Sequence, residues 1–152
     1  DNSNFKDEKW YINTNQSFAF TDGVVTASYG NATPKAHADT LFTAQNETDG
    51  LGTEGEVATR GLKYNLIQTL KSQVANELAR TDWYITRNSE KSTAIPSSIS
   101  NHRDAVRTKQ AAMEAQITGA SDTAALEILY TYTEQEDGSV TRPLGELPVL
   151  EL

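Results

Sequence analysis

The chain contains no cysteine. Disulfides, thiolate metal sites and a cysteine nucleophile are therefore excluded together, although compartment stays open because reduced cytosolic proteins and virion proteins both manage without it. Histidine is nearly absent as well: His37 and His102 stand far apart, with no His-x-x-Glu-His or similar spacing, too few for a zinc ligand set. Positive charge is in short supply. The 13 Lys and Arg residues are scattered and set against 21 Asp and Glu, for a formal net charge of −8. That balance argues against nucleic acid or an anionic membrane as partner, since both demand a basic face. No apolar run approaches the ~18 residues of a membrane span, and no signal-peptide pattern is visible. What remains is 152 residues, 37% hydrophobic, enough for one domain, or one domain and a small appendage, around a thin core.

Enzyme signatures are missing too. Serine and threonine are plentiful, but no Gly-x-Ser-x-Gly elbow occurs and no base with an orienting acid accompanies them. Gly50-Leu51-Gly52-Thr53-Glu54-Gly55 has the spacing of a dinucleotide loop. Such a loop must follow a hydrophobic strand and open into a helix, and Gln45–Asp49 is no strand. Carboxylates are too common to point anywhere, and Glu134–Asp137 lacks the ligand spacing of a calcium loop. His102 falls on an apolar stripe, where a partly buried structural role is expected. Three Asn-x-Ser/Thr sites, at Asn15, Asn31 and Asn46, are a permissive match that polar chains make by chance.

Local patterning divides the chain. In the first 57 residues, Asn, Thr, Asp, Gly and Ser surround short apolar runs. Asp22-Gly23 stands between two β-prone segments, a strong hairpin signal because both central residues of a type I′ turn need positive φ. It predicts strands at Ser17–Thr21 and Val24–Tyr29, with Trp10–Ile12 as a third. Residues 30–57 read as loop with a helical turn near Lys35–Phe42. From Gly61 the period changes: Leu62, Leu66, Ile67, Leu70, Val74 and Leu78 share one face of a helix over about 60–79, with Thr59 as N-cap. A second helix, about 97–118, follows Pro96 with Ser97 or Ser98 as cap. Its stripe is Ile99, His102, Val106, Gln110, Met113 and Ile117, and Gly119 closes it. Ser121 is expected to cap a short third helix with Ala125, Leu126 and Leu129 inward. Tyr130–Thr133 and Ser139–Thr141, around Asp137-Gly138, predict a second hairpin, followed by a proline-broken extended tail.

The segment Lys71–Arg107 resembles the phage tail assembly chaperone family, in which a helix ends at a Thr-Asp-Trp type turn and a second helix carries paired arginines. The matching residues are Leu78, Thr81, Asp82 and Trp83, then Arg103, Val106 and Arg107. Arg80–Arg87, Thr93–Pro96 and Arg142-Pro143-Leu144 look like variants found in virion proteins. His102 and Leu147 depart from the family, which usually has aromatics at those places.

The expected architecture is α+β. Residues 1–57 form a small β-hairpin docking element with a linker; residues 58–152 form an antiparallel helical hairpin, a short third helix and a C-terminal β-hairpin. The resemblance implies a non-enzymatic virion protein of the tail, bound to a fibre or baseplate protein as structural accessory or assembly chaperone. It would reside in the particle in several copies, or in the host cytoplasm during assembly, without cofactor, metal, nucleic acid or membrane. Asp82, Trp83, Tyr84, Arg103 and Arg107 are the expected hairpin-locking or partner-contacting residues, Trp83 as an apolar cap over the helical pair and Asp82 as the partner of an arginine. Trp10, Tyr11 and Phe18 are the candidate docking aromatics. Two rivals are a host-surface (receptor or polysaccharide) binder using those aromatics, and a small glycan hydrolase, which needs two carboxylates about 5–10 Å apart on rigid elements.

Overall fold

The computed structural model describes residues 3–14 and 16–150; Asn15, the acceptor of the first glycosylation-type site, lies outside them. The described chain is α+β, with four two-stranded antiparallel sheets and helices of 5 to 23 residues. It divides into two compact units, Asp1–Leu62 with Ser121–Glu127, and Lys63–Ala120 with Ile128–Leu152.

In the first unit, β1 (Tyr11–Ile12) pairs with β4 (Thr33–Pro34), β2 (Ser17–Thr21) with β3 (Val24–Ser28), and β5 (Thr40–Leu41) with β6 (Val57–Thr59). Asp22 and Gly23 both take positive φ, +51° and +81°, the type I′ turn that matches strand twist. Trp10–Ile12 does not extend that hairpin as a third strand. Trp10 and Tyr11 turn into the core instead, and the ladder there is taken by the Thr33–Lys35 segment, whose Lys35 N–H donates to the Trp10 carbonyl at 2.9 Å. Nor does Lys35–Phe42 form a helical turn. The short helix falls later, as α1 (Ala44–Thr48), because Thr43 supplies a reciprocal cap that the earlier stretch lacks: its hydroxyl accepts the Asn46 N–H, and Asn46 Oδ1 accepts the Thr43 N–H at 2.9 Å.

The β5–β6 pair, which sequence patterning reads as loop, is closed by Asp39. Its carboxylate accepts the Gly61 N–H at 2.8 Å and an Arg60 guanidinium N–H at 2.6 Å. Those two donors, the backbone first, hold the Asp39 carboxyl below its ordinary range. Gly61 is required for close approach, since a Cβ there would run into the Ala38 carbonyl and the Asp39 nitrogen. Gly61→Ala is therefore expected to lose roughly 1–3 kcal/mol of stability, read as a lower urea midpoint; an unchanged midpoint refutes the close approach.

The second unit is built on α2 (Leu62–Ala79) and α4 (Ser97–Gly119), with α3 (Asp82–Lys91) between them. Thr59 lies in β6 and does not cap α2. Pro96 occupies the N-cap position of α4 without a side-chain cap, so neither serine serves; proline's fixed φ begins the helix alone. Two links set α2 and α4 antiparallel: Lys63 Nζ reaches the Thr118 carbonyl at 2.8 Å, and Glu77 meets His102 Nε2 at 3.0 Å. Leu70 and Val74 on α2, and Ile99, Val106, Met113 and Ile117 on α4, are buried, at the positions the 3.6-residue period selects.

Helix α5 (Thr123–Tyr130) contributes its residues up to Glu127 to the first unit. Asp122 caps it, not Ser121: Asp122 Oδ1 accepts the Ala125 N–H at 2.8 Å, and the Ser121 hydroxyl donates to Asp122. The C-terminal hairpin is short, β7 (Thr133–Glu134) against β8 (Val140–Thr141), because Tyr130 still belongs to α5. The tail is not simply extended. Leu144 is buried, and its N–H donates to the Leu129 carbonyl at 3.1 Å.

Candidate docking surfaces

The helical corner is locked by arginine, not by tryptophan. Arg103 leaves α4 almost fully buried, and its Nη1 donates to the Thr81 hydroxyl at 2.7 Å, the Leu78 carbonyl at 2.8 Å and Asp82 Oδ1 at 2.9 Å. The Leu78 carbonyl, in the last turn of α2, also accepts the Thr81 N–H at 3.1 Å and the Thr81 hydroxyl at 3.0 Å, so Arg103 joins a carbonyl and a hydroxyl that are already bonded to each other. The Asp82 carboxylate is mostly in water, and its charge adds little; the carbonyl and the buried Thr81 hydroxyl make the lock.

Trp83 does not cap the helical pair. Its side chain is half in solvent, at 51% exposure, because the sequence past Thr81 is itself helical and α3 has no buried residue. The indole packs on Tyr84, with ring centroids 3.8 Å apart, and lies under the Arg87 guanidinium, 5.0 Å from its centroid. Arg107 takes no part in the lock. It points to Asp104 on its own helix at 3.3 Å, with both side chains exposed.

Glu77 tightens the same corner, meeting Arg80 at 3.0 Å and His102 at 3.0 Å. Burial pushes its carboxyl up, but Arg80 and His102 outweigh that and hold it below the ordinary carboxylate range. A carboxyl depressed by folding contributes stability above its unfolded value and loses it as pH falls through the folded value. The second unit should therefore weaken as pH drops below about 4.5, and Glu77→Gln should flatten that dependence. Parallel acid-unfolding curves for the two proteins would contradict the pairing.

In the first unit, Trp10 is 3% exposed and Tyr11 is buried beside it, its hydroxyl donating to Glu127 at 2.9 Å. Neither is a docking aromatic; both are core. Phe18, by contrast, is 69% exposed, and Phe20, which sequence reasoning passed over, is 74% exposed. Register places Phe18 opposite Ala27 and Phe20 opposite Val25, so these four share one face of the hairpin. Val24, on the other face, is exposed as well. The signal for this surface was in the sequence: from Trp10 to Pro34 the sole charged residue is Asp22. The base of the hairpin is tied down by the Ser17–Ser28 hydroxyl contact at 3.0 Å, by Asn4 Nδ2 on the Tyr29 carbonyl at 2.9 Å, and by the edge of Phe5 on Tyr29.

An open depression of about 490 Å³ in the first unit is lined by Tyr11, Pro34, His37 and Asp122 among others. Three of its polar side chains are engaged within the protein: Tyr11 with Glu127, Thr123 with the Lys35 carbonyl at 2.6 Å, Asp122 with Ala125. Among the described residues no group of three or more His, Asp or Glu stands together as a metal site. The glycine-rich Gly50–Gly55 stretch follows α1 and leads into β6, the reverse of a phosphate-cradling order. No helix is long and apolar enough to cross a membrane among the described residues. No protein-family model, no curated protein and no solved structure matches this chain.

Proposed function

We propose that this protein is a non-catalytic accessory of a phage tail, docking through its β2–β3 hairpin onto a fibre or baseplate protein. The observation that carries the reading is the hairpin itself, a two-stranded element that leaves Phe18, Phe20, Val24 and Val25 mostly in water. A lone hairpin is marginal on its own, and contiguous exposed apolar side chains on a rigid turn mark a binding surface. The tail assignment comes from the Thr81–Trp83 and Arg103–Arg107 resemblance. The α3 cluster of exposed Trp83 with half-buried Tyr84 and Arg87 has the composition of interface hot spots and offers the same partner a second contact.

Phe18→Ser with Phe20→Ser is expected to weaken capture of the tail protein about 30-fold or more while far-ultraviolet dichroism and the melting profile of the helices stay as in the parent. Mass spectrometry of purified particles distinguishes a permanent component, present at fixed stoichiometry, from a transient chaperone. Parent protein that captures no tail component would overturn the reading.

A further inference from the structure

The turn determines which backbone groups of the hairpin face outward. With Asp22-Gly23 as a two-residue loop, Thr21 and Val24 form the hydrogen-bonded pair beside it, and bonded pairs recur at Ala19 with Thr26 and Ser17 with Ser28. Phe18 and Phe20 occupy the positions between, so their N–H and C=O groups point away from β3. Among the described residues, β3 is the one sheet neighbour of β2 and nothing pairs with its outer edge. Proteins commonly blunt such edges with lysine, proline or a bulge. β2 has none of these: it is Ser-Phe-Ala-Phe-Thr in unbroken register.

That sequence is also self-complementary. Read in either direction it is hydroxyl, phenyl, methyl, phenyl, hydroxyl. We infer that the outer edge of β2 pairs with β2 of a second copy, antiparallel about a twofold axis at Ala19. The inference rests on the reading that the hairpin is a docking element and names one of its occupants. In this register each Phe18 lies opposite Phe20 of the second copy at a bonded position, giving about four new backbone hydrogen bonds. The two Ala19 residues meet at the axis, where the unbonded spacing of about 4.5 Å suits a small side chain. Charge does not oppose the pairing locally. The two Asp22 carboxylates, each three residues from the axis, end about 20 Å apart at ~3.3 Å per residue, beyond the ~8 Å screening length.

The product is a four-stranded sheet carrying the Phe18, Phe20 and Val25 side chains of both copies on one face. Its exposed apolar area is on the order of 700 Å², above the largest patch of a typical monomer. Edge pairing alone buries less than the roughly 1,200 Å² of a stable interface, so the pair is weak in isolation and tightens when a larger protein covers that face.

Ala19→Cys tests this in a chain that has no other cysteine. At the axis the Cα spacing of about 4.5 Å permits a disulfide, so mild oxidation is expected to cross-link Ala19→Cys about ten-fold faster than Thr26→Cys, on the same face but one strand removed. Adding Phe18→Lys and Phe20→Lys, which place like charges along the seam, should abolish the difference. Sedimentation velocity of the parent chain should show concentration-dependent association that the lysine variant lacks. Equal cross-linking at both positions, with a parent chain that stays monomeric at the highest attainable concentration, overturns the pairing. If capture of the tail protein still depends on Phe18 and Phe20 in that case, the docking reading stands without it; cross-linking at Ala19 with capture indifferent to those residues is the converse.

Discussion

Trp10→Ala is expected to remove about 3–5 kcal/mol of stability, and Trp83→Ala to change it by no more than about 0.5 kcal/mol. Trp10 is 3% exposed while Trp83 is half in water. Truncating the first leaves a cavity that the surrounding backbone fills only in part; truncating the second leaves solvent. Domains of this size hold about 5–15 kcal/mol in total, so the first variant is expected to unfold its unit within the range of ordinary urea titrations. Because the chain has two tryptophans, one per unit, each single variant also isolates the other indole's fluorescence. Trp10 should emit as a buried indole and shift to the red on unfolding; Trp83 should emit as a solvated one from the start. A Trp83→Ala variant less stable than Trp10→Ala would reverse the assignment of core and surface.

The second large effect is expected at Arg103. Arg103→Met retains an apolar stem but leaves the Leu78 carbonyl and the Thr81 hydroxyl without the guanidinium they now bind at 2.8 and 2.7 Å. The Leu78 carbonyl keeps its two bonds from Thr81, so the buried Thr81 hydroxyl is the acceptor left without a donor, at about 1–3 kcal/mol before relaxation. Water entering the corner recovers part of that while the Asp82 contact is lost as well, so a loss of roughly 1–3 kcal/mol is expected. Asp82→Asn should cost less than about 1 kcal/mol, since its carboxylate is largely solvated. Arg107→Ala should be near neutral, its one ion pair being exposed at both ends. A double-mutant cycle between Arg103→Met and Thr81→Val should give a coupling energy, because the two share a hydrogen bond. Additive losses would mean that the corner is held by packing alone.

The contrast between these residues explains how far the chain could be read without coordinates. The helical hairpin was legible because its apolar residues repeat at a period that only a helix places on one face, and every stripe residue from Leu70 to Ile117 that the period singled out is buried or half-buried. The β2–β3 hairpin was legible because Asp-Gly chemistry selects its turn. Asp82 was legible as the partner of an arginine because opposite charges flank a helix end, but the choice of Arg103 over Arg107 belongs to the fold. Helix α3 was not, since it buries nothing and so imposes no apolar period. Strands β5 and β6 were not, because their pairing is set by Asp39 reaching Gly61, a contact between residues that carry no local β signal.

Aromatic residues gave the plainest misreading. Trp10, Tyr11, Phe18 and Trp83 look alike in a sequence: large, apolar and near a turn. Only the fold sorts them. Local sequence determined where this chain turns, where it coils into helix and where one stretch goes without charge, because those depend on neighbours within a few residues. Tertiary structure decided which large side chains lie inside and which remain for a partner, because burial depends on what residues distant in sequence bring to the same place: Glu127 to Tyr11, Lys35 to Trp10, Leu78 and Thr81 to Arg103.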